Sequence, residues 1–595
     1  MKLARLALLV IVVACSRRPP PPPPPSAIGD AGVAVRAPVA ADAGVQPAYR
    51  SGATTIHSDQ TVVGTGKTFM VSSEAGLATE VGRKVLADGG NAVDAAVATA
   101  FALAVVHPTA GNLGGGGFAV VRLGPGKATA LDFREVAPAA ATRDMYLDAS
   151  GAPTTDSLVG YRASGVPGSV AGLWALHKKH GKKPWKELVE PAVVLARDGF
   201  AVDDELAESI KRSLDRLQKF PKTAAIWVPA GAPVAMGATV KIPELASVLE
   251  RIRDRGADGF YKGDTARGIE AEMKAGGGII TASDLASYAP VWRDGLRFSY
   301  RGHSLVSMPP PSSGGLVLAM TAGMLRKVEI GKLPWNGAEH IHWVTEAWRR
   351  GFAARNELLG DPKFRKDMPI ATLMSQSYLD KLAATIGTGA SKSSEVPALL
   401  EGNHTTNLCT VDSKGMAVAL TTTINTSWGS GVTVLGFLMN NEMDDFSIKP
   451  GSANVFGLVQ GEANKIEPGK RMLSSMSPTI VENAKGELVM LAGAGGGPRI
   501  ITAVWQTISN VIDFGNRAGN AVALQRFHHQ HLPDAVFIEP EAIDEETDEK
   551  LHALNYTIKW GQSRREFGAV TAIVRTPDGW EGTSDPRGGG AALGD

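Results

Sequence analysis

The sequence predicts an α/β fold of packed layers, with sheets inside and helices outside. Two observations carry this. Residues 165–385 have largely helical patterning, with apolar spacing over 169–180, 242–255 and 340–359. Residues 405–575 are rich in strand-like runs, such as 432–439, 479–482 and 569–575, interrupted by one long helical stretch, 501–514. Helices first, then a strand-dominated half, bury their apolar faces best by stacking in layers.

The chain opens with Lys2 and Arg5 ahead of a short apolar core, residues 6–14, too short to span a bilayer. It ends Val12-Val13-Ala14-Cys15, which resembles a bacterial lipobox. Residues 1–15 therefore read as a lipoprotein signal, with Cys15 as the lipid attachment site. An ordinary signal peptide with a chance cysteine is the other reading. Several acyl chains on Cys15 would anchor the protein stably, since that takes two or more. Ser16, rather than Asp, leans toward the outer membrane. The expected location is outside the cytoplasm, periplasmic or at the cell surface, with the membrane touched by the anchor only. Residues 19–25 are seven consecutive prolines, a stiff spacer. Residues 16–60 as a whole read as a Pro/Ala-rich tether.

The folded body starts near Thr61. Leu77, Val81 and Val85 recur at helical spacing, and Gly89-Gly90 stops that helix. Asn91 is placed to cap the next helix, with Asp94 three residues on. The segment 92–106 is apolar nearly all round, as a buried helix is. Strands are expected over 118–122 and 128–133. A helix over 185–198 should be broken or kinked by Pro191. Thr405-Thr406 head a strand, 405–411, which a tight Asp412-Ser413-Lys414-Gly415 turn joins to a second strand, 416–424.

The chain has 595 residues, a formal net charge of +1, 44% hydrophobic and 20% charged residues. That is an ordinary soluble composition with no broad basic surface for nucleic acid. Once Cys15 is spent on the anchor, Cys409 is the only other cysteine and no internal disulfide is possible.

Several clusters carry chemistry. A threonine exposed as a new N-terminus can use its own amine as base, and Thr405 is the candidate. Asn441-Glu442-Met443-Asp444-Asp445 packs three acids into four residues, suited to a substrate ammonium, and its spacing does not match a calcium loop. Ser474-Ser475 supply hydroxyls, although hydroxyls there are also common turn-formers. Gly495-Gly496-Gly497 precede a helix, where successive amides can hold an oxyanion. Arg134 in Asp132-Phe133-Arg134-Glu135 is a possible fork for a carboxylate; on that tetrapeptide alone an ion pair with Asp132 or Glu135 is the better reading. Gly114–Gly117 lack the lysine of a phosphate loop and are followed by a strand. His528-His529-Gln530-His531 has no partner that completes a zinc pattern.

Together these motifs resemble the γ-glutamyltranspeptidase family, within the N-terminal-nucleophile hydrolases. The resemblance runs from about Met70 to Arg587. It takes in residues 89–96, 112–117, 132–135, 164–168, 308–315, 405–406, 440–446, 473–478 and 585–587. It implies a four-layer αββα sandwich and self-cleavage between His404 and Thr405. A large subunit, 61–404, and a small catalytic subunit, 405–595, would result. By the same resemblance Thr405 is the nucleophile, Thr423 its hydrogen-bond partner, and Gly496 and Gly497 the oxyanion donors. Arg134, Ser474 and Ser475 would hold the substrate α-carboxylate; Asn425, Glu442 and Asp445 its α-ammonium. Glutathione and related γ-glutamyl compounds are the implied donors, with water, amino acids or dipeptides as acceptors. No metal or organic cofactor is implied. Asn407 stands where the family commonly has His. Phe456 stands in the lid, 450–456, where bacterial members often have Tyr, so a looser lid and relatively more hydrolysis are expected. The alternatives are a glutaryl (cephalosporin-type) acylase of the same fold, which needs no ammonium site, and an uncleaved surface lipoprotein that only binds γ-glutamyl peptides.

Overall fold

The computed structural model describes residues 49–50, 62–393 and 405–595. The signal with Cys15, the proline run and His404 lie outside the described residues. In chain order the central strands are β1 Val62–Gly66, β2 Met70–Ser73, β3 Gly116–Gly124, β4 Lys127–Asp132, β5 Val291–Arg293, β6 Leu296–Tyr300 and β7 His303–Ser307. Then come β8 Thr405–Val411, β9 Ala417–Thr423, β10 Thr479–Glu482, β11 Leu488–Gly495, β12 Ala569–Thr576, β13 Gly579–Ser584 and β14 Ala591–Gly594. They form two seven-stranded antiparallel sheets, ordered β1-β13-β12-β11-β10-β7-β6 and β14-β2-β8-β9-β3-β4-β5.

Period-two alternation sorts each strand's side chains between layers. In the second sheet, Leu408, Val418, Leu420, Ala119 and Val121 face a helical layer. That layer includes Gly76–Ala87, Ala92–Val106, Ser169–His180 and Trp185–Asp198. Cys409, Val411, Ala417, Ala419, Phe118 and Val120 join the other core, which holds the first sheet and its helices Gly314–Met324, Ala338–Leu358 and Arg499–Ile512. The order is helix, sheet, sheet, helix, the four-layer αββα sandwich. Strands covered on both faces must be apolar throughout or internally hydrogen-bonded, and all seven residues of β8 are buried.

Local signals explain most elements. Asn91 Oδ1 accepts the Asp94 N–H and Asp94 Oδ2 the Asn91 N–H, both at 2.9 Å, a complete capping box. All fifteen residues of the helix it starts are buried. Asp412 Oδ1 accepts N–H groups from Lys414 and Met416, fixing the β8–β9 turn.

Two details differ from expectation. Pro191 does not break the helix Trp185–Asp198, because a buried stripe of Trp185, Leu188, Val189, Ala192, Val193 and Ala196 outweighs the lost hydrogen bond. The run 432–439 is a tiny hairpin, Thr433–Val434 with Phe437–Leu438, rather than one strand. Leu435 at φ 47° and Gly436 at φ 85° make its two-residue turn.

Candidate active site

At the open end of the β8–β9 hairpin, Thr405 pairs with Thr423. The Thr405 hydroxyl donates to Thr423 Oγ1 at 3.2 Å, and the same oxygen accepts the Asn425 N–H at 2.7 Å. Asn425 has φ 75°, a region Asn tolerates better than most residues, and its side-chain amide donates to the Asn441 carbonyl at 2.9 Å.

The sheets touch directly behind Thr405. A Cβ on Gly495 would lie 1.7 Å from the Thr405 carbonyl oxygen, and one on Gly493 2.1 Å from Asn407 Oδ1. Only glycine permits that approach. Asn407 is buried between the hydroxyls of Thr421 and Thr571, tying one sheet to the other. Past Gly495, Gly496 (φ 137°) and Gly497 (φ 54°) turn the chain into the helix Arg499–Ile512.

The acidic turn Glu442–Asp445 is set by Asn440. Asn440 donates to the carbonyls of Gly114 and Gly165 at 2.7 and 2.8 Å and accepts the Glu442 N–H at 3.0 Å. The four-glycine loop is therefore a bracket for the acids. Arg134 follows the end of β4, fully buried, and donates one Nη to Glu442 and the other to Asp445. Its Nε donates to the Met472 carbonyl at 3.3 Å, and Glu135 lies 3.7 Å away. The local ion pair with Asp132 is not formed, because Asp132 is taken by Arg293 and Arg471.

Burial lifts the Glu442 carboxyl well above the usual carboxylate range, against the pull of Arg134 and with help from Glu135 and Asp445. Asp445 is lifted by burial too, again opposed by Arg134. Burial opposes the charge on Arg134, but Glu442, Asp445 and Glu135 outweigh it and hold the guanidinium protonated. Glu135 is pushed up to about 7, mainly by burial.

Ser474 and Ser475 are held by the Pro-Pro-Pro-Ser-Ser-Gly-Gly segment. Ser474 donates its N–H to the Pro311 carbonyl at 2.9 Å, and the Ser313 hydroxyl donates to the Ser474 carbonyl at 2.6 Å. Thr405, Thr423, Asn425, Arg134, Glu442, Asp445, Ser474, Ser475 and Gly497 all line one small cavity. Gly496, the residue before Gly497, is not one of the residues that line it. His528 bonds Thr502 and Gln530, and His529 bonds the Ala535 carbonyl.

Phe456 forms part of the cavity wall, its ring against Gly497. It makes no bond to Asn425; other hydrogen bonds hold the lid segment. Gln530 donates to the Phe456 carbonyl at 3.0 Å, and Asp444 accepts the Val455 N–H at 3.0 Å. Asn454 Oδ1 accepts the N–H groups of Phe456 and Leu458.

Asp444 also accepts the Ser157 hydroxyl, and burial pushes its carboxyl up to about 7. A carboxyl whose folded value exceeds its unfolded one holds its proton more tightly when folded. Its contribution to stability is then lost as pH rises from about 4 to the folded value of about 7. Asp444→Asn cannot ionise, so it should gain on wild type across that window, by on the order of 1–3 kcal/mol. Urea titrations at pH 5 and pH 8 measure this; a difference independent of pH contradicts it.

One charged cavity residue escaped the sequence reading. Arg355 is fully buried in the helix Ala338–Leu358, as are Phe352 and Trp348 one and two turns before it. The available signal was a charged residue at an apolar position of a helical period.

Residues 78–595 match the family model for gamma-glutamyltranspeptidase. The chain belongs to that family. A glutathione hydrolase proenzyme of Escherichia coli is 44% identical over 531 residues, covering 88% of this chain and 90% of its own. The crystal structure of a cephalosporin acylase from Bacillus halodurans superposes over 93% of this chain and 99% of its own, with TM-score 0.79 and 26% identity. That of Helicobacter pylori gamma-glutamyltranspeptidase covers 52% of this chain and 89% of its own, with TM-score 0.51 and 43% identity. Of the transpeptidase-like segments scattered along the sequence, 132–135, 405–406, 440–446 and 473–478 thus contribute to one cavity at the open end of the β8–β9 hairpin, whereas Ala92 lies at its turn end against Asp412.

Proposed function

We propose that this γ-glutamyltranspeptidase relative is a γ-glutamyltransferase and glutathione hydrolase, made as a precursor that cuts itself before Thr405. The observation that carries the reading is the convergence of Thr405, the Arg134–Glu442–Asp445 cluster and Ser474-Ser475 on one small cavity. The name of the Escherichia coli relative, a glutathione hydrolase proenzyme, agrees with it.

In maturation the Thr405 hydroxyl attacks the carbonyl carbon of residue 404. The C–N bond breaks, the Thr405 nitrogen takes a proton, and the acyl group rests on Oγ1 as an ester. Water opens the ester and leaves a free α-amine on Thr405. In turnover that amine, with a reference pKa of about 7.7–8.0, takes the Oγ1 proton as the oxygen attacks the γ-glutamyl carbonyl. The Gly496 and Gly497 amides receive the oxyanion. Collapse expels the substrate's amine, and water or an acceptor amine then removes the γ-glutamyl group from Oγ1. Asn425, Glu442 and Asp445 hold the donor's ammonium, and Arg134, Ser474 and Ser475 its carboxylate. Thr423 holds the nucleophile through the 3.2 Å bond. The subunits are residues 61–404 and 405–595, behind an exported, Cys15-anchored leader and a tether. Among the described residues no helix is long and apolar enough to cross a membrane.

The structural likeness to a cephalosporin acylase favours one other reading, a glutaryl acylase. A glutaryl group has no ammonium, so Glu442, Asp445 and Glu135 would have only the one Arg134 charge to face. Two measurements test the proposal. The small fragment should begin Thr405-Thr406-Asn407, and γ-glutamyl-p-nitroanilide should be cleaved far faster than glutaryl-p-nitroanilide. Preference for the glutaryl substrate would establish the acylase.

A further inference from the structure

Arg134 is already occupied by protein acids. Its two Nη atoms serve Glu442 and Asp445, and Glu135 is 3.7 Å away, so one positive charge faces three carboxyl groups. A substrate carboxylate entering there meets no surplus of positive charge. The surplus lies in Arg355. Its Nε donates to the Ser313 hydroxyl at 3.2 Å and Nη1 to Asn356 Oδ1 at 3.0 Å. Among the described residues Nη2 has no hydrogen-bond partner, and no carboxylate lies within ion-pair distance of the guanidinium. Yet Arg355 is about 1% exposed and lines the same cavity as Ser474 and Ser475. A guanidinium out of water without an anion is costly unless a ligand completes it.

We propose that Arg355 is a second carboxylate-binding residue of the site and sets its preference for donors with a free α-carboxylate. The inference rests on the functional reading above. With Arg355 counted, two guanidinium charges face the three carboxyl groups, so a zwitterionic glutamyl head group finds a cation for its carboxylate as well as acids for its ammonium. Its ammonium faces the acids, and its carboxylate lies among Arg134, Arg355 and the two serines. Burial, with the charge of Arg134 adding to it and Asp445 opposing it, pulls the Arg355 guanidinium down to about 10, and a bound carboxylate would reverse that pull.

A purely structural role is open to Arg355, because Ser313 in turn holds the Ser474 carbonyl. The test therefore uses two donors that differ only in the carboxylate. γ-Glutamyl-p-nitroanilide has it; 4-aminobutyryl-p-nitroanilide keeps the ammonium and the scissile amide without it. For Arg355→Gln, processed normally on a denaturing gel, kcat/KM for the γ-glutamyl donor should fall roughly 100-fold, mostly through KM. Turnover of the 4-aminobutyryl donor should change by no more than about twofold, since no paired group is lost there. Inhibition by L-glutamate should weaken in parallel with KM, and Arg355→Lys should recover part of the loss. If Arg355→Gln does not process, Arg355→Lys is read in the same way, as a KM rise confined to the γ-glutamyl donor. Equal losses on both donors, or no loss on either, overturn the inference and leave the functional reading standing. A wild-type enzyme that cleaves neither γ-glutamyl-p-nitroanilide nor itself defeats the functional reading instead.

Discussion

Thr405→Ala should run as one uncut chain on a denaturing gel and release p-nitroaniline from γ-glutamyl-p-nitroanilide at least about 10⁴-fold more slowly than wild type. The size of the effect follows from one residue holding three parts. Its hydroxyl attacks the preceding peptide carbonyl, its nitrogen becomes the base once that bond opens, and its oxygen then carries the γ-glutamyl group. Alanine removes the first and so forfeits the others. The fold should survive. The backbone pairing of Thr405 with Thr423 is unchanged, and among the described residues the lost hydroxyl bonds only Thr423 Oγ1. The cost to stability is therefore about 1 kcal/mol, and a thermal melt serves as the control. Thr405→Ser keeps the oxygen and should process and turn over, more slowly, because β-branching no longer fixes χ1. Two fragments from Thr405→Ala, or near-normal turnover by the uncut chain, would remove the basis of the mechanism.

How much could be read from the sequence depended on whether the cause was local. Asn91 with Asp94, the Asp412–Gly415 turn and the buried helix 92–106 are short-range devices, and the structure contains each. The heads of the two helical layers were readable from apolar spacing. Pro191 and the run 432–439 misled because their outcome was set elsewhere, by a buried helix stripe and by a positive-φ pair at Leu435 and Gly436. At the site, types such as threonine, paired acids and tandem glycines stood out, whereas pairings across hundreds of residues did not. Arg134 reaches Glu442 and Asp445, 308 and 311 positions on, which no tetrapeptide reveals. Arg355 sits inside an ordinary-looking helix, and its importance comes only from the cavity that the fold places against it.

Arg134→Gln should lower kcat/KM for the γ-glutamyl donor by on the order of 10³-fold and make stability more sensitive to pH. Glutamine has nearly the bulk but no charge, so Glu442, Asp445 and Glu135 are left buried around a neutral amide. Removing one partner of a buried pair typically costs about 3–5 kcal/mol. These acids can limit that cost by taking protons, which burial already favours at all three. The sign is then fixed. A carboxyl raised in the folded chain loses its contribution to stability as pH climbs from its unfolded value toward its folded one. Without Arg134 to oppose burial, the folded values rise further and the window of loss extends upward. The gap in urea midpoint between wild type and Arg134→Gln should therefore widen from pH 5 to pH 8. The same protonation removes the charge that holds the donor's ammonium, so KM should rise more than kcat falls. Arg134→Lys restores a charge but lacks the fork that reaches two acids at once, and should recover only part of both effects. A midpoint gap that narrows toward pH 8, or an unchanged KM, would mean that Arg134 does not hold these acids in their charged form.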